Sequence, residues 1–119
     1  MTRPFVKMNG LGNDFVVVEA RTGGAFAPTT AEVRAIANRE TGIGCDQLIA
    51  IAPSDRADAF MRIWNADGEE VSACGNATRC VGWLLMQASG CKEASIETRA
   101  GILLASDSGD HRVAVDMGA

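Results

Sequence analysis

The stretch GNATRCVGWLLMQAS, residues 75–89, decides the fold of this chain. Arg79 is its one charged residue, and apolar side chains fall on every side of the helix that the stretch predicts. A helix that is apolar all round is buried, but a bilayer takes about 20 residues to cross, so this one is too short to span it. We therefore expect a central helix with the rest of the domain wrapped round it.

Runs typical of β-strands lie on both sides of this helix in the sequence. They are Phe5–Met8, Phe15–Ala20, Leu48–Ala52, Ala59–Trp64, Val71–Ala73, Ala94–Arg99, Ile102–Ser106 and Arg112–Val115. A second helix is predicted from Thr29 or Thr30 to Glu40, before Gly42. This order predicts an α+β fold, with mainly antiparallel strands wrapped round a central buried hydrophobic helix, rather than a regular βαβ repeat.

Composition and charge bound the functional class. The chain has 119 residues, of which 47% are hydrophobic and 22% charged, as in one ordinary globular domain. Its net charge is −4 and its 11 Lys and Arg residues do not cluster, so we expect no nucleic-acid partner. The start shows no signal-peptide pattern, and the longest apolar run, Cys80–Met86, is far too short for a membrane span. A cytoplasmic location without membrane association is therefore expected.

The four cysteines are spaced irregularly, at positions 45, 74, 80 and 91. They form no C-x-x-C pair, and the chain has one histidine, so no metal site is predicted. In a reducing compartment all four are expected to be thiols. Free cysteine is among the most buried residue types, and on that ground Cys45, Cys80 and Cys91 are expected to pack in the interior.

Cys74 differs because it directly precedes the start of the central helix. The first N–H groups of a helix have no intrahelical partner and the dipole there is positive, so such an end attracts carboxylates. Gly75 lets a ligand approach the backbone, Asn76 adds a polar group, and the same field lowers the pKa of a thiol. The pattern indicates a bound carboxylate beside a sulfur that gains and loses a proton. Two alternatives stay open: Cys74 simply packs, or it is a nucleophile paired with His111.

Three blocks in fixed order carry a family resemblance. They are KMNGLGNDF at residues 7–15, GIGCDQ at 42–47, and NADG at 65–68 followed by CGNATRC at 74–80. Together they resemble the diaminopimelate epimerase family, and the resemblance covers nearly the whole chain. It implies an isomerase that inverts one α-carbon of diaminopimelate, in the route to lysine and peptidoglycan precursors, without pyridoxal phosphate, another cofactor or a metal.

The resemblance also implies a mechanism and a set of site residues. In this family two cysteines face the α-carbon from opposite sides, one taking a proton as a thiolate and the other returning one as a thiol. The catalytic position in this chain is Cys74. The implied substrate contacts are Asn13, Gln47, Asn65, Gly75 and Asn76.

Simple chemistry agrees with these roles but leaves alternatives. The amides of Asn13, Gln47 and Asn65 both donate and accept hydrogen bonds, so they orient a zwitterion without adding net charge. The start of the helix at Gly75 would stabilise charge that develops on a carboxylate. Asn65 could instead serve only its turn, and Asn13 could serve only the loop after Gly12.

The length of the chain departs from the family pattern. Family members are longer and contain two similar domains, with the second catalytic cysteine in the second domain. We therefore expect residues 1–119 to be the amino-terminal domain, with the second domain absent from this chain, and the chain alone to be inactive. The family also suggests a possible homodimer. Two other functions remain open: an isomerase or racemase of another carbon acid, and a non-catalytic single-domain protein that binds an amino acid.

Overall fold

One mixed sheet contains every strand of the computed structural model, which describes residues 5–10, 12–21, 26–72, 75–99, 101–109 and 112–116. The elements in chain order are β1 (Phe5–Gly10), β2 (Asn13–Glu19), α1 (Thr30–Ala37), β3 (Gln47–Ala52), β4 (Ala59–Asn65), β5 (Glu70–Val71), α2 (Gly75–Ser89), β6 (Glu93–Thr98), β7 (Gly101–Gly109) and β8 (Arg112–Asp116). The strand order across the sheet is β1-β2-β3-β4-β6-β7-β8, and the short β5 pairs with β4.

Antiparallel pairing dominates the sheet, as the sequence predicts. Among the described strands, β1–β2, β3–β4, β4–β5, β6–β7 and β7–β8 pair antiparallel. The pairs β2–β3 and β4–β6 are parallel, and each is joined through a helix, α1 in the first case and α2 in the second. Parallel neighbours need such a crossover because the chain must return to the edge from which it started. The α+β prediction is confirmed. The fold also contains two strand–helix–strand crossovers, which the order of elements in the sequence did not reveal.

The two helices lie on opposite faces of the sheet. Both crossovers step the same way across the sheet, but β2 and β3 point opposite to β4 and β6. If both are right-handed, as nearly all such connections are, their helices must cover opposite faces. The buried clusters agree with this geometry. One cluster joins α2 to Phe15, Val17 and Ile49, and the other joins α1 to Val16, Val18 and Leu48.

Two-sided coverage explains why β2 and β3 read as continuous apolar runs. Four successive residues are buried in each, at positions 15–18 and 48–51. In β6, by contrast, buried and more exposed residues alternate, because only α2 packs against that part of the sheet. A strand covered on both faces is apolar throughout, whereas one covered on a single face alternates.

The α2 helix has the bounds that the sequence predicts, Gly75–Ser89. Val81, Leu85 and Met86 are buried against the sheet, each contributing roughly 1.5–3 kcal/mol relative to an exposed side chain. The expectation that it is buried on every side is wrong towards its end, where Leu84 is half-buried and Ala88 is exposed. Neither helix in the described part of the chain is long and apolar enough to cross a membrane.

The α1 helix begins where the sequence predicts and ends earlier. Thr29 is its N-cap, and a reciprocal capping box links Thr29 with Glu32. The helix ends at Ala37 rather than at the predicted Glu40. The reason is Asn38, whose side-chain oxygen accepts hydrogen bonds from the backbone N–H groups of residues 40 and 41. These bonds replace helical ones and favour a turn.

Three predicted turns or strand ends shift by a few residues. The β1 strand extends to Gly10, beyond the predicted end at Met8, and β7 extends to Gly109, beyond the predicted end at Ser106. The return strand after β4 is Glu70–Val71 rather than Val71–Ala73, and Ala73 lies outside the described residues. The order and type of the elements are unaffected.

A tight turn joins β4 to β5 and packs against the start of α1. The backbone N–H of Gly68 donates to the carbonyl of Asn65 at 2.9 Å, and Arg34 Nε donates to the carbonyl of Asp67 at 2.8 Å. Gly68 has a φ of +94° and is buried, and a Cβ there would collide with the Thr30 side chain and lie 2.9 Å from its carbonyl oxygen. Glycine is therefore required at position 68 both by backbone conformation and by space.

The pair Gly68→Ala and Gly90→Ala separates these two requirements. Gly90 also has a positive φ, +73°, but a Cβ there would meet nothing within 4 Å. We expect Gly90→Ala to lower the free energy of unfolding by about 1 kcal/mol through conformation alone, and Gly68→Ala by about 2–4 kcal/mol. Urea unfolding followed by circular dichroism measures both. Equal losses for the two variants would contradict the packing of the turn against Thr30.

Candidate active site

Three residues predicted to contact substrate lie at one edge of the sheet. Asn13 begins β2, Gln47 begins β3 and Asn65 ends β4. Gln47 is the register partner of Phe15 in the parallel pair and of Asn65 in the antiparallel pair. Residues 13, 47 and 65 are therefore neighbours across three adjacent strands, although 52 positions separate the first from the last in the sequence.

The same three residues share one face of the sheet. Side chains alternate between faces along a strand, so residues two positions apart lie on the same side. Asn13, Gln47 and Asn65 are each two positions from a residue buried under α2, namely Phe15, Ile49 and Ile63. All three therefore belong to the face that α2 covers.

The α2 helix begins towards this edge. Because α2 returns the chain from β4 to the parallel strand β6, it runs opposite to β4 and starts near the end at which β4 finishes. Its other end confirms the direction. Leu85 and Ala88 line an apolar groove together with Glu19 and Ile51, which lie at the far ends of β2 and β3.

The start of α2 is described by its backbone. Gly75 and Asn76 form its first two residues. Cys74, the predicted catalytic residue, lies outside the described residues, as does His111, its proposed partner in a nucleophilic site. A fifteen-residue helix presents free N–H groups and a positive dipole end at its first turn. That end offers a carboxylate a favourable position.

Gln47 and Asn65 are joined through their side chains. Gln47 Nε2 donates to Asn65 Oδ1 at 3.0 Å, while the other amide atom of Gln47, Oε1, is buried and has no hydrogen-bond partner among the described residues. Buried polar atoms normally have a partner, and an unpaired one costs about 1–3 kcal/mol. This end of the amide can therefore accept a hydrogen bond from a ligand N–H group.

Asn65 uses its backbone and its side chain for different contacts. Its backbone N–H donates to the carbonyl of Glu69 at 2.8 Å, and its carbonyl accepts from Gly68, so the backbone closes the turn. Its side chain is not used in these bonds and pairs with Gln47 instead. The turn and a polar role for the amide are thus compatible.

Charged groups lie beside two of the three amides, Asn13 and Gln47. Asp14 follows Asn13, Asp46 precedes Gln47, and Arg39 bridges the two carboxylates. The pKa of Asp46 is lowered from its ordinary value, first because the backbone N–H of Asp14 donates to it and further by Arg39. Sequence reasoning gave none of these three residues a role. Their place beside Asn13 and Gln47 inside the quoted blocks was the available signal for the two carboxylates.

The described cysteines differ in exposure. Cys45 and Cys80 are buried, which confirms the expectation that they pack in the interior. The same expectation is wrong for Cys91, which is exposed because it follows Gly90 in the loop between α2 and β6. Burial raises the pKa of Cys45, so its thiol resists ionisation. Among the described residues no group of three His, Cys, Asp or Glu side chains could hold a metal ion.

Alkylation with iodoacetamide near pH 8 should divide the cysteines into two classes. We expect Cys74 to react fastest, because a helix start lowers its pKa, and Cys91 to follow because it is exposed. Cys45 and Cys80 should react only after unfolding. Peptide mass spectrometry over a time course gives the four rates, with Cys91→Ser as the control that leaves a single fast site. Equal, slow labelling of all four would contradict the assignment.

Solved structures with the same fold are longer than this chain. A phenazine biosynthesis protein of the PhzF family from Enterococcus faecalis superposes with a TM-score of 0.71 at 15% identity, covering 92% of this chain and 42% of that one. A protein described as a probable proline racemase from Agrobacterium radiobacter gives 0.69 at 20% identity, covering 98% and 42%. At this identity the likeness establishes the fold alone.

Comparison of the sequence establishes the family. The diaminopimelate epimerase from Phenylobacterium zucineum is 70% identical over 99% of this chain, and that from Caulobacter vibrioides is 54% identical over 99%. The chain spans only 42% and 43% of the length of these two relatives. The family model for diaminopimelate epimerase matches residues 5–119. By this match, which takes in both helices and every strand of the sheet, the chain belongs to the diaminopimelate epimerase family.

Proposed function

We propose that this chain forms the amino-terminal half of an epimerase that interconverts LL- and meso-diaminopimelate without a cofactor. The observation that carries the proposal is the convergence of three neutral amides, Asn13, Gln47 and Asn65, at the edge of the sheet where α2 begins. Such a group suits the zwitterionic end of an amino acid, which needs oriented donors and acceptors but no added net charge. Membership of the family supports the same substrate.

The proposed chemistry is proton transfer at the α-carbon. The thiolate of Cys74 takes the α-proton, so a C–H bond breaks, an S–H bond forms, and the electron pair moves into the adjoining carboxylate. A thiol on the opposite face then gives a proton to the same carbon. Its S–H bond breaks and leaves a thiolate, and the electron pair returns from the carboxylate to form the new C–H bond. One proton leaves and one arrives, and the configuration at the carbon is inverted. The reverse direction exchanges the two roles.

The start of α2 has a defined part in this proposal. Abstraction of the α-proton places additional negative charge on the carboxylate, and backbone N–H groups at Gly75 and Asn76 would stabilise it there. The positive end of the helix dipole favours the same charge and keeps Cys74 ionised near neutral pH. One helix end thus prepares the base and stabilises the charge that the base creates.

The amides would act further from the reacting carbon. Gln47 Oε1 is a buried acceptor without a partner in the part of the chain that the structure describes, and an ammonium group of the substrate would satisfy it. Asn65 holds Gln47 through its Oδ1 atom and so fixes the direction of that acceptor. Asn13 occupies the neighbouring strand on the same face.

The second half of the active site is proposed to come from a second domain. The chain spans 42% of the relative from Phenylobacterium zucineum, and the acid on the opposite face is assigned to the part of the protein that this relative contains beyond the match. We expect the 119-residue chain alone to show no epimerisation. A homodimer, which the family suggests, and a cytoplasmic location, which the sequence pattern at the start of the chain suggests, are part of the same proposal.

A chimera tests the proposed function directly. The 119-residue chain is joined to the remainder of the relative from Phenylobacterium zucineum, and conversion of LL- to meso-diaminopimelate is followed in D₂O. We expect turnover with deuterium at the inverted carbon. Cys74→Ala should lower kcat/KM by about a thousandfold or more, because loss of a proton-transfer group removes a factor of about 10²–10⁴.

The controls separate chemistry from folding. Cys91→Ser changes an exposed cysteine in the loop after α2 and should leave the rate unchanged. Proline and 4-hydroxyproline test for a racemase of another carbon acid. A chimera that folds, by circular dichroism and gel filtration, but neither epimerises diaminopimelate nor exchanges its α-proton would overturn the proposal. Full activity in Cys74→Ala would equally do so.

Substitution of Gln47 by Met should separate stability from activity. Met has a similar length and no buried acceptor, so Gln47→Met removes the unpaired Oε1 and leaves Asn65, which is partly exposed, able to bond to water. We expect the free energy of unfolding to stay within about 1 kcal/mol of the wild-type value or to rise, since the substitution removes an unpaired buried acceptor that costs about 1–3 kcal/mol. The chimera carrying Gln47→Met should lose at least about tenfold in kcat/KM, as expected when one charged hydrogen bond is lost. A stability loss as large as that of a core truncation would contradict this role.

A further inference from the structure

We infer that Arg39 is a positioning residue that fixes the separation between Asn13 and Gln47. The inference rests on the proposed function, in which these two amides orient the substrate. Arg39 lies in the turn after α1, and it reaches the edge of the sheet from a different segment than either amide. It touches neither Asn13 nor Gln47 in any hydrogen bond of the described residues and acts through their chain neighbours.

The guanidinium of Arg39 joins two carboxylates. Its Nη1 atom lies 2.8 Å from Asp14 Oδ2, and its Nη2 atom lies 3.0 Å from Asp46 Oδ1. Asp14 follows Asn13 in β2, and Asp46 directly precedes Gln47, the first residue of β3. One rigid planar group therefore holds both strand starts at a fixed distance.

Two backbone contacts make the link between the carboxylates reciprocal. The backbone N–H of Asp14 donates to Asp46 Oδ2 at 2.8 Å, and the backbone N–H of Asp46 donates to the carbonyl of Asp14 at 3.0 Å. Rotation of the Asp46 side chain would therefore release the backbone N–H of Asp14, while the bond from the Asp46 N–H to the Asp14 carbonyl would remain. Because a peptide unit is planar, such a change is passed directly to Asn13.

The other strand of the first hairpin joins the same group. Asn9 Nδ2 donates to Asp14 Oδ1 at 2.9 Å, so both oxygens of Asp14 are engaged, one by β1 and one by Arg39. Three segments thus meet at Asp14: β1, the turn after α1, and the residue before β3. We refer to Asn9, Asp14, Arg39 and Asp46 as the strand-start clamp.

Gly44 provides the space for Arg39 within the clamp. A Cβ at position 44 would lie 3.2 Å from both Cα and Cγ of Arg39, and the residue has a φ of +83°. The backbone between Gly42 and Gln47 therefore passes directly against the arginine stem. This close approach fixes the position of the Arg39 side chain against the loop that leads into Gln47.

Arginine suits this position better than lysine for a geometric reason. Its fork presents separate N–H groups to two acceptors at once, whereas lysine carries a single point charge on a flexible stem. If the cation is removed, two carboxylates that share a hydrogen-bonding partner are left close together and repel each other. The loops on either side would then separate and carry Asn13 and Gln47 apart.

Removal of a surface ion pair that has no positioning role would change neither KM nor stability, so the two cases differ in KM alone. The Arg39 side chain is 53% exposed, and exposed ion pairs contribute little to folding. Its removal is therefore expected to leave the melting temperature nearly unchanged. Arg21, which pairs with Glu19 at 2.8 Å at the far end of β2, provides a matched control with a similar contact in a different place.

The test uses the chimera in its active form. Arg39→Gln is expected to raise KM for LL-diaminopimelate about tenfold to a hundredfold with kcat within about threefold, because misplaced binding groups weaken ground and transition state alike. Arg39→Lys should give a smaller increase. Arg21→Gln should change neither constant. An unchanged KM in Arg39→Gln, or an equal rise in Arg21→Gln, would overturn the inference.

A second substitution tests the clamp by rescue. In Arg39→Gln the further change Asp46→Asn removes one of the two repelling charges, and the new amide can accept from Asp14 N–H and donate to the Asp14 carboxylate. We expect KM in the double variant to return most of the way to the wild-type value, although the double variant contains fewer charged groups than either single variant. A purely additive loss in the double variant would count against positioning.

Amide hydrogen exchange on the 119-residue chain separates this inference from the proposed function, since it needs no turnover. Arg39→Gln should lower the protection of the Asp14 and Asp46 amides and leave Val17 and Ile49, in the same strands, unchanged. Unchanged protection at Asp14 and Asp46 would overturn the clamp even in an active enzyme. A wild-type chimera without turnover would overturn the proposed function and, with it, the role of the clamp in substrate binding.

Discussion

The parallel pairing of β4 with β6 constrains the rest of the molecule. Parallel neighbours oblige the connecting chain to travel back along the full length of the sheet, and here the returning segment is α2. The helix starts at the edge where β4 ends, and its apolar residues have to lie on the sheet. The same connection that buries the core therefore brings a helix N-terminus to the edge that holds Gln47 and Asn65.

The second crossover contributes support from the other face. Because α1 joins β2 to β3, both strands begin at this edge, and so Asn13 and Gln47 are neighbours. The α1 helix also holds the turn after β4 through Arg34 and through the contact of Gly68 with Thr30. Each polar residue of the candidate site is thus attached to an element that is fixed by apolar packing. A rigid scaffold beneath a polar edge is what a site for precise proton transfer requires.

Local signals in the sequence were sufficient to predict the helices and strands, but they were insufficient to predict how these elements contact one another. The bounds of α2 could be predicted because apolar residues end at Ser89 and Gly90 follows as a cap, with its N–H bonded to Met86. The end of α1 was missed because Asn38 uses its side chain to satisfy the backbone, which residue propensity does not reveal. The pairing of Gln47 with Asn65 depends on strand register, and the ion pairs of Arg39 join it to residues 25 and 7 positions away. Such contacts follow from topology rather than from any local pattern.

The register of β3 against β4 has a consequence for how this family can tolerate change in length. Gln47 shares a face with Ile49 and Ile51, so deletion of Leu48, the one residue between Gln47 and Ile49, would turn the amide towards the face that α1 covers. The acceptor would be lost from the candidate site, and a polar amide would take the place of the fully buried Leu48 in the core under α1. A change in the length of β3 therefore alters the candidate site and the core together. The loop at residues 53–58, at the opposite edge, is also constrained, because hydrogen bonds join Ser54 to Glu97 and Asp58 to Ser95.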